Sequence, residues 1–305
     1  MTETKLHPVI AGRTVVVIGN FDGVHQGHQA VLRAAQNLSD LPVVVVTFWP
    51  HPLAVLAPGH APKLLTDLHT RIDLLKQAGA REVRVVQFTR ELSWTSPEEF
   101  VERVIKPLRP ATVVVGDNFR FGSQASGDTA ELRRLGEGSF DVVALKLLGV
   151  EDTVTCSTRI REALVEGDVA SAAKHLGRWF RYRGVVVVGD QRGRELGFPT
   201  ANLLVPDEMA VPADGVYAGW VTRLHHPGAE PMPAAISVGS NPTFNGFDRR
   251  VESYVLDRDD LELYGTEIAV DFVEHLRGQV KFTGAEALIE QMHRDVEQTR
   301  ALLTR

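Results

Sequence analysis

The chain has 305 residues, which is enough for two domains that each bury a core of their own. It is 44% hydrophobic and 24% charged, as a globular protein is, and its net charge of -6 argues against a general nucleic-acid binder, which would carry a basic excess. Cys156 is the only cysteine, no apolar run approaches the ~20 residues that span a bilayer, and the N-terminus lacks a signal-peptide core, so we expect a cytoplasmic protein with no membrane partner.

From Arg13 to about Gly177, short β-branched runs alternate with helical patterns. The predicted strands are Thr14 to Ile18, Val43 to Thr47, Glu82 to Gln87, Thr112 to Val115 and Val142 to Leu145. The predicted helices cover residues 29–38, 67–78, 97–106 and 128–135. This alternation requires right-handed crossovers and predicts an α/β domain with a doubly wound parallel sheet. Ligands of such sheets bind beyond the C-terminal ends of the strands.

The stretch Gly-Asn-Phe-Asp-Gly-Val-His-Gln-Gly-His, residues 19–28, lies between the first predicted strand and the first predicted helix. The unpaired N–H groups and positive dipole of a helix start stabilise an anion there. Gly19, Gly23 and Gly27 lack a Cβ, so a phosphate can approach the main chain closely. His25 and His28, three residues apart, are expected on one face, pointing at one anion. Alone, such a turn is an ordinary loop; the coincidence of spacing, strand and helix favours a phosphate site.

Three further polar stretches follow predicted strands and should lie at the same edge of the sheet. They are Thr47 to Pro52, Gly116 to Gly122, and Thr155 to Arg161. Taken alone, the first two are loops, and serine or threonine at the start of a helix is usually only a cap. Hydroxyls, free N–H groups and an arginine at one helix start also suit a triphosphate, through charge-assisted hydrogen bonds.

Beyond Arg181 the pattern changes to short strands and turns. Strands are predicted over residues 184–188, 216–222, 232–238, 251–256 and 267–274, followed by a closing helix over 285–303. Short strands punctuated by proline and glycine predict an antiparallel β-barrel. We place the boundary so that residues 1–179 form the first domain and residues 180–305 the second.

Two features of this second half suggest chemistry. In Gly193 to Asn202, glycines would bring main-chain amides to a phosphate, and Thr200 and Asn202 offer two oxygen ligands of the kind Mg²⁺ uses. This signal is weak by itself. Glu252 shares a predicted strand face with Tyr254 and Leu256, and a carboxylate on an apolar face needs a reason.

These motifs, in this order, resemble those of the bacterial bifunctional riboflavin kinase/FAD synthetases over almost the whole chain. Residues 19–28 match the nucleotidyltransferase signature, and Gly116 to Gly122 is similar to the family's Gly-x-(Asp/Asn)-Phe-Arg-Phe-Gly element. Ser157-Thr158-x-x-Arg161 resembles its Ser-Ser-Thr-x-x-Arg signature, with Cys156 in place of the first serine. Gly-Phe-Pro-Thr-Ala-Asn, residues 197–202, is similar to the riboflavin kinase motif.

The resemblance implies that the C-terminal domain phosphorylates riboflavin to FMN and that the N-terminal domain transfers an adenylyl group from ATP to FMN, giving FAD and pyrophosphate. Both steps would use Mg²⁺. His28 and Arg161 would stabilise phosphate charge, Glu252 would be the general base for the ribityl hydroxyl, and Thr200 and Asn202 would serve the metal. The nucleotide-binding residues that it implies are Gly19, Phe21, Asp22, Gly23, His25, Gly27, His28, Asn118, Ser157, Thr158, Arg161, Gly193, Gly197, Thr200 and Asn202.

The resemblance also places residues 47–52 on the flavin side of the first site, where an acidic or amide residue often stands at the position of Trp49. Two alternatives remain open. The chain could be a nucleotidyltransferase for another small phosphate, with the barrel as an accessory, or a flavin carrier without catalysis. The oligomeric state is left open.

Overall fold

The computed structural model describes residues 12–146, 149–150, 153–154, 156–189, 197–243, 246–258 and 260–303. The chain divides into two compact units, residues 1–156 and 157–305. This division comes before residue 179, because helices α7 (Ser157–Glu166) and α8 (Val169–Leu176) pack against each other and α8 contacts strands of the second unit. The domain limits at 179/180 stay a prediction.

The first unit is built on a five-stranded parallel sheet with the order β3-β2-β1-β4-β5. Its strands are β1 (Thr14–Ile18), β2 (Val43–Trp49), β3 (Glu82–Gln87), β4 (Pro110–Gly116) and β5 (Asp141–Leu145). Its helices are α1 (Gln26–Gln36), α2 (Pro52–Leu56), α3 (Leu68–Gln77), α4 (Arg90–Ser93), α5 (Pro97–Phe100) and α6 (Thr129–Gly136). Two-residue strands β6 (Gly149–Val150) and β7 (Thr153–Val154) pair with each other. The doubly wound α/β prediction is confirmed.

Valine-rich strands fix the middle of this sheet. β1 is buried along its whole length, and its residues alternate between two cores. Val15 and Val17 pack in one core with Leu32 of α1, and Val16 packs in the other with Phe100. Burial on both faces is why the strands read as continuous apolar runs, and it leaves the C-terminal edge free for polar loops.

The predicted helix over 97–106 has a different geometry. The capping box between Ser96 and Glu99 is present, but α5 ends at Phe100. The chain continues as a π-helix over Val101–Ile105 and a 3-10 turn over Lys106–Leu108. Such changes of winding depend on tertiary packing and have no clear sequence signature.

The second unit is a six-stranded antiparallel sheet with the order β8-β13-β10-β11-β12-β9. Its strands are β8 (Phe180–Val185), β9 (Ala201–Leu204), β10 (Gly215–Arg223), β11 (Met232–Thr243), β12 (Gly246–Val255) and β13 (Glu267–Gly278). The two end strands approach each other: Val187 forms a bridge with Asn202, and the Tyr182 hydroxyl donates to the Leu204 carbonyl at 2.6 Å. Helix α9 (Ala285–Leu303) follows and contacts β10, β11 and β13. The predicted barrel with a closing helix is confirmed.

In this unit β11, β12 and β13 are longer than predicted, and two further strands differ more. The strand predicted over 184–188 is wrong in position, since β8 begins at Phe180 and ends at Val185. Burial alternates along this segment as it does in a strand, since Phe180 and Tyr182 are buried while Arg181 is exposed. β9 was not predicted as a strand of its own, because only its pairing with β12 defines it. Over the described residues, no helix is long and apolar enough to cross a membrane.

Candidate active sites

The loop after β1 brings the two predicted histidines together at the start of α1. His25 is the N-cap of α1, and its Nδ1 accepts a hydrogen bond from the His28 backbone N–H at 3.3 Å. The two rings stack with their centroids 3.6 Å apart, and the Phe21 ring meets His28 edge-on at 5.0 Å. His25 is therefore engaged in the helix cap, and it stacks on His28, which lies in the first turn of the helix.

His28 is held neutral by its surroundings. The protein lowers its pKa well below the ordinary histidine value, chiefly because burial penalises the charged ring and secondarily because His25 and Arg71 add positive potential. Its Nδ1 is buried and has no hydrogen-bond partner among the described residues. An unpaired polar atom at this place is a binding capacity that the protein itself does not use.

The backbone of this loop is strained where it turns. Phe21 and Val24 have φ values of 52° and 40°, and Gly23 has a φ of 82°. The left-handed region costs energy for residues with a Cβ, and such strain concentrates at binding sites. Gly19 lies under the Phe21 ring, so a Cβ there would come within 3.1 Å of a ring carbon.

Asp22 is at the centre of a buried network that holds the loop in place. Its carboxylate accepts hydrogen bonds from the backbone N–H groups of Leu65 and Thr66 at 3.1 and 3.2 Å. It also forms an ion pair with Arg71 at 3.0 Å, and both side chains are almost completely buried. The structure thus gives the predicted nucleotide ligand Asp22 a set of contacts within the protein.

Arg71 joins the ends of β1 and β2. Its guanidinium donates to the Asn20 carbonyl at 3.1 Å and lies 5.3 Å from the centre of the Trp49 ring. Trp49 therefore packs on this cation. Sequence reasoning missed Arg71. The available signal was its spacing of four from Leu75, a fully buried residue of α3, which places a charge on the buried face of that helix.

A cavity of about 660 Å³ opens at the C-terminal edge of the parallel sheet. At one side it is bounded by Gly19 and Asn20 of the loop after β1, and Asn118, predicted to contact the nucleotide, also lines it. Six aromatic side chains form much of its wall: Phe48, Phe88, Trp94, Phe100, Phe119 and Phe121. A large cavity with mostly aromatic walls and a few polar groups suits a ligand with a flat ring system.

Ser157, Thr158 and Arg161 open helix α7, which belongs to the second compact unit. Ser157 and Arg161 are half-buried and Thr158 is exposed. The helix start expected from the sequence is present there, and the triphosphate role of these three residues stays a prediction.

The second unit has a cavity of about 260 Å³ between the barrel and α9. Thr200, Glu252 and Tyr254 line it, together with Leu288 and Met292 of the helix. On β12, the alternate residues Val251, Ser253 and Val255 are buried on the opposite face. Glu252 lies on the same face as Tyr254, as the alternation predicts, and that face lines the cavity.

Strand register brings the predicted kinase residues together. Glu252 is paired with Asn202 of β9 on one side and with Ser237 of β11 on the other. Thr200 is only two residues from Asn202. Gly197 of the same motif has a φ of 87°, which favours glycine, whereas Gly193 lies outside the described residues.

Asn202 and Thr200 fit the predicted Mg²⁺ site. The Asn202 Nδ2 donates to the Thr200 Oγ1 at 3.2 Å, which leaves the Asn202 Oδ1 buried and, within the described residues, without a hydrogen-bond partner. Neutral oxygens of this type are ligands that Mg²⁺ accepts beside substrate phosphates and water. In the part of the chain that the structure describes, no group of three or more His, Cys, Asp and Glu side chains could hold a metal ion.

An ion pair anchors α9 over this cavity. Arg277 of β13 donates to both carboxylate oxygens of Asp295 at 2.9 and 2.7 Å, and Gln291 donates to the same carboxylate at 2.9 Å. Asp295 is buried, and both partners line the cavity. Asp295 was missed in the sequence analysis, although its pairing with Arg277 explains why an acidic residue lies on the apolar stripe of α9.

The first unit has a doubly wound sheet with a histidine-bearing helix start, and the second has a barrel with Glu252 and Thr200 in one cavity. This combination is that of a two-unit nucleotide-dependent transferase. Residues 8–159 match the family model for FAD synthetase, and residues 176–303 match the family model for riboflavin kinase. The chain belongs to the family of bifunctional riboflavin kinases/FMN adenylyltransferases.

Two relatives that bear the name of this family, and one solved structure with another title, are similar to the chain over most of its length. The Bifunctional riboflavin kinase/FMN adenylyltransferase of Listeria monocytogenes is 35% identical over 297 residues, covering 95% of this chain and 93% of that protein. The protein of the same name from Escherichia coli K12 is 36% identical over 286 residues, covering 92% and 90%. A solved structure titled Macrolide-efflux Protein from Streptococcus pneumoniae is 33% identical, with a TM-score of 0.85 over 95% of this chain and 94% of that one.

Proposed function

We propose that the chain makes FAD from riboflavin in two ATP-dependent steps, and that each step uses the cavity of one unit. Membership of the family carries the overall activity, with FMN as the product of the first step and FAD as the product of the second. The observation that carries the assignment of residues is that Glu252 and Thr200 line one small cavity, while Asn202 is paired with Glu252 across the strands and hydrogen-bonded to Thr200.

In the kinase step, the Glu252 carboxylate accepts the proton of the riboflavin 5′-hydroxyl as its oxygen attacks the γ-phosphorus of ATP. A bond forms between that oxygen and phosphorus, the bond to the bridging oxygen breaks, and ADP leaves. A positioned base of this kind contributes typically ~10²–10⁴ in rate. Thr200 and Asn202 would hold Mg²⁺, which would neutralise phosphate charge.

In the adenylyl step, a phosphate oxygen of FMN attacks the α-phosphorus of ATP, and pyrophosphate leaves. No side chain forms a covalent bond. The N–H groups at the start of α1 and His28 position the phosphates and stabilise their charge, and orientation alone removes roughly 7–11 kcal/mol of barrier. His28 is neutral in the protein alone, and the N–H that a neutral ring keeps donates a hydrogen bond to phosphate. The negative charge of the bound phosphates then raises the pKa of the ring.

The aromatic cavity beside Gly19 and Asn20 receives the ring system of FMN. Its volume of about 660 Å³ and its aromatic walls support this assignment. Nucleic acid and membranes have no part in the proposed reactions, and the single cysteine suits the reducing cytoplasm.

The test is the Glu252→Gln variant, with the Glu274→Gln variant, an exposed carboxylate of β13, as its matched control. Given riboflavin and ATP, Glu252→Gln should lose about 10²–10⁴ of the FMN-forming rate, because the general base is gone. Given FMN and ATP, it should form FAD at the wild-type rate. Chromatography of the flavins measures both steps, and Glu274→Gln should perform both normally.

Near-normal FMN formation by Glu252→Gln would overturn the general-base role. Riboflavin left unchanged by the wild type, with FMN still converted to FAD, would favour a nucleotidyltransferase with an accessory barrel. Binding of flavin with no turnover at all would favour a carrier.

A further inference from the structure

Trp94 is an exposed, unstacked aromatic side chain on the wall of a ligand cavity. It is 68% exposed, and it lines the cavity at the C-terminal edge of the parallel sheet. The other aromatic walls pack on one another, as Phe48 does on Phe88 at 6.0 Å and Phe119 on Phe121 at 5.4 Å. Among the described residues, Trp94 makes no ring contact.

The local fold holds Trp94 in this position. Trp94 is the C-cap of α4, and its backbone N–H donates to the Glu91 carbonyl at 3.1 Å. Helix α4 contacts α2, whose Leu53 and Leu56 are also exposed. Two short helices thus present large apolar side chains at the rim of one cavity, and exposed apolar groups at a cavity mark a binding surface.

Trp179 shows what the protein does with another exposed tryptophan. It is 46% exposed, but it stacks on Trp220 with the ring centroids 6.4 Å apart. Trp94 has the exposed face without the stacking partner. A flat ligand ring would supply that partner.

The side chains around Trp94 favour an apolar ligand ring over a polar one. Pro52, Leu56 and Leu92 beside Trp94 carry no hydrogen-bonding side chain, and the Ser93 hydroxyl donates to the Arg90 carbonyl at 2.6 Å. Adenine has polar groups on its edges that would lose their hydrogen bonds here. The dimethylbenzene end of an isoalloxazine ring has no polar groups, so it loses no hydrogen bonds here.

We propose that Trp94 is a specificity-determining residue of the adenylyl transfer, which stacks on the isoalloxazine ring of FMN and covers it at the mouth of the cavity. This rests on the proposed function of the first unit. Trp94 selects the flavin over other small phosphates, because a phosphate ester without a flat ring gains nothing from the indole.

The test compares Trp94→Ala and Trp94→Phe with Trp179→Phe as the control. Trp94→Ala removes the stacking of the indole on the isoalloxazine ring, and this raises KM for FMN roughly tenfold or more. The rise in Trp94→Phe is smaller. KM for ATP and the rate of FMN formation from riboflavin stay at wild-type values. Titration with FMN quenches less tryptophan fluorescence in Trp94→Phe than in the wild type, whereas Trp179→Phe keeps the quenching that is due to Trp94.

An unchanged KM for FMN in Trp94→Ala would overturn the proposal. So would a rise in KM for ATP in place of FMN, which would assign the indole to adenine. If the wild type forms no FAD from FMN, the proposed function fails. The fluorescence titration still decides the stacking in that case, because it needs binding and no turnover.

Discussion

At the scale of single residues, the unusual feature is a neutral histidine with an unused nitrogen at a helix start. Burial holds the pKa of His28 well below the ordinary value, and His25 and Arg71 reinforce the effect. The ring is therefore uncharged in the protein alone, and the proposed role is that a bound phosphate would favour its protonated form.

His28→Gln tests this account in two ways. FAD formation from FMN should fall about 10²–10³, the usual effect of removing one donor to a developing charge. In addition, the wild type should lose stability as the pH falls below about 6.5, where a histidine of the unfolded chain takes up a proton and buried His28 does not.

Thermal unfolding followed by circular dichroism at pH 7.5 and 5.5 measures the second effect. Between pH 7.5 and 5.5, the midpoint temperature of the first unfolding transition should fall less in His28→Gln than in the wild type. Equal drops in both proteins would show that His28 is not the group that titrates.

At the scale of elements, the first site is made by strand ends that one buried cation ties together. Arg71 of α3 holds the Asn20 carbonyl after β1, the Asp22 carboxylate and the ring of Trp49 at the end of β2. A lysine would supply the charge but not the planar guanidinium, which directs N–H groups at several acceptors at once.

Arg71→Met should destabilise the first unit by about 3–5 kcal/mol, because it leaves the Asp22 carboxylate buried without its cation. FAD formation from FMN should fall with it, while FMN formation from riboflavin continues. Arg71→Lys should recover only part of the loss, and Arg81→Met, an exposed arginine after the same helix, should behave as the wild type. Urea unfolding and the two flavin assays measure this. Normal FAD formation by Arg71→Met would contradict it.

Elements with strong local signals could be predicted from the sequence. The bounds of β1, β3 and α9 agree with the predictions, since apolar periodicity and flanking glycines fix them locally. The convergence of Glu252 on Asn202 could be expected only through the family resemblance, because the register of β9 on β12 is a long-range pairing. Arg71, Asp295 and Trp94 were missed, because their roles depend on partners far away in the sequence or on a cavity.

At the scale of the whole molecule, one chain carries two chemistries in two compact units, each with its own cavity. The product of the kinase step is the acceptor of the adenylyl step. A substitution in one unit should change one activity and leave the other intact. FMN formation from riboflavin and FAD formation from FMN therefore control for each other.

The most direct measurement is a time course of flavins, separated by chromatography, after the purified full chain is given riboflavin and ATP with and without Mg²⁺. The account predicts that FMN appears first and FAD follows, and that both depend on Mg²⁺. Riboflavin that stays unchanged with Mg²⁺ present, in a protein that is folded, would contradict it.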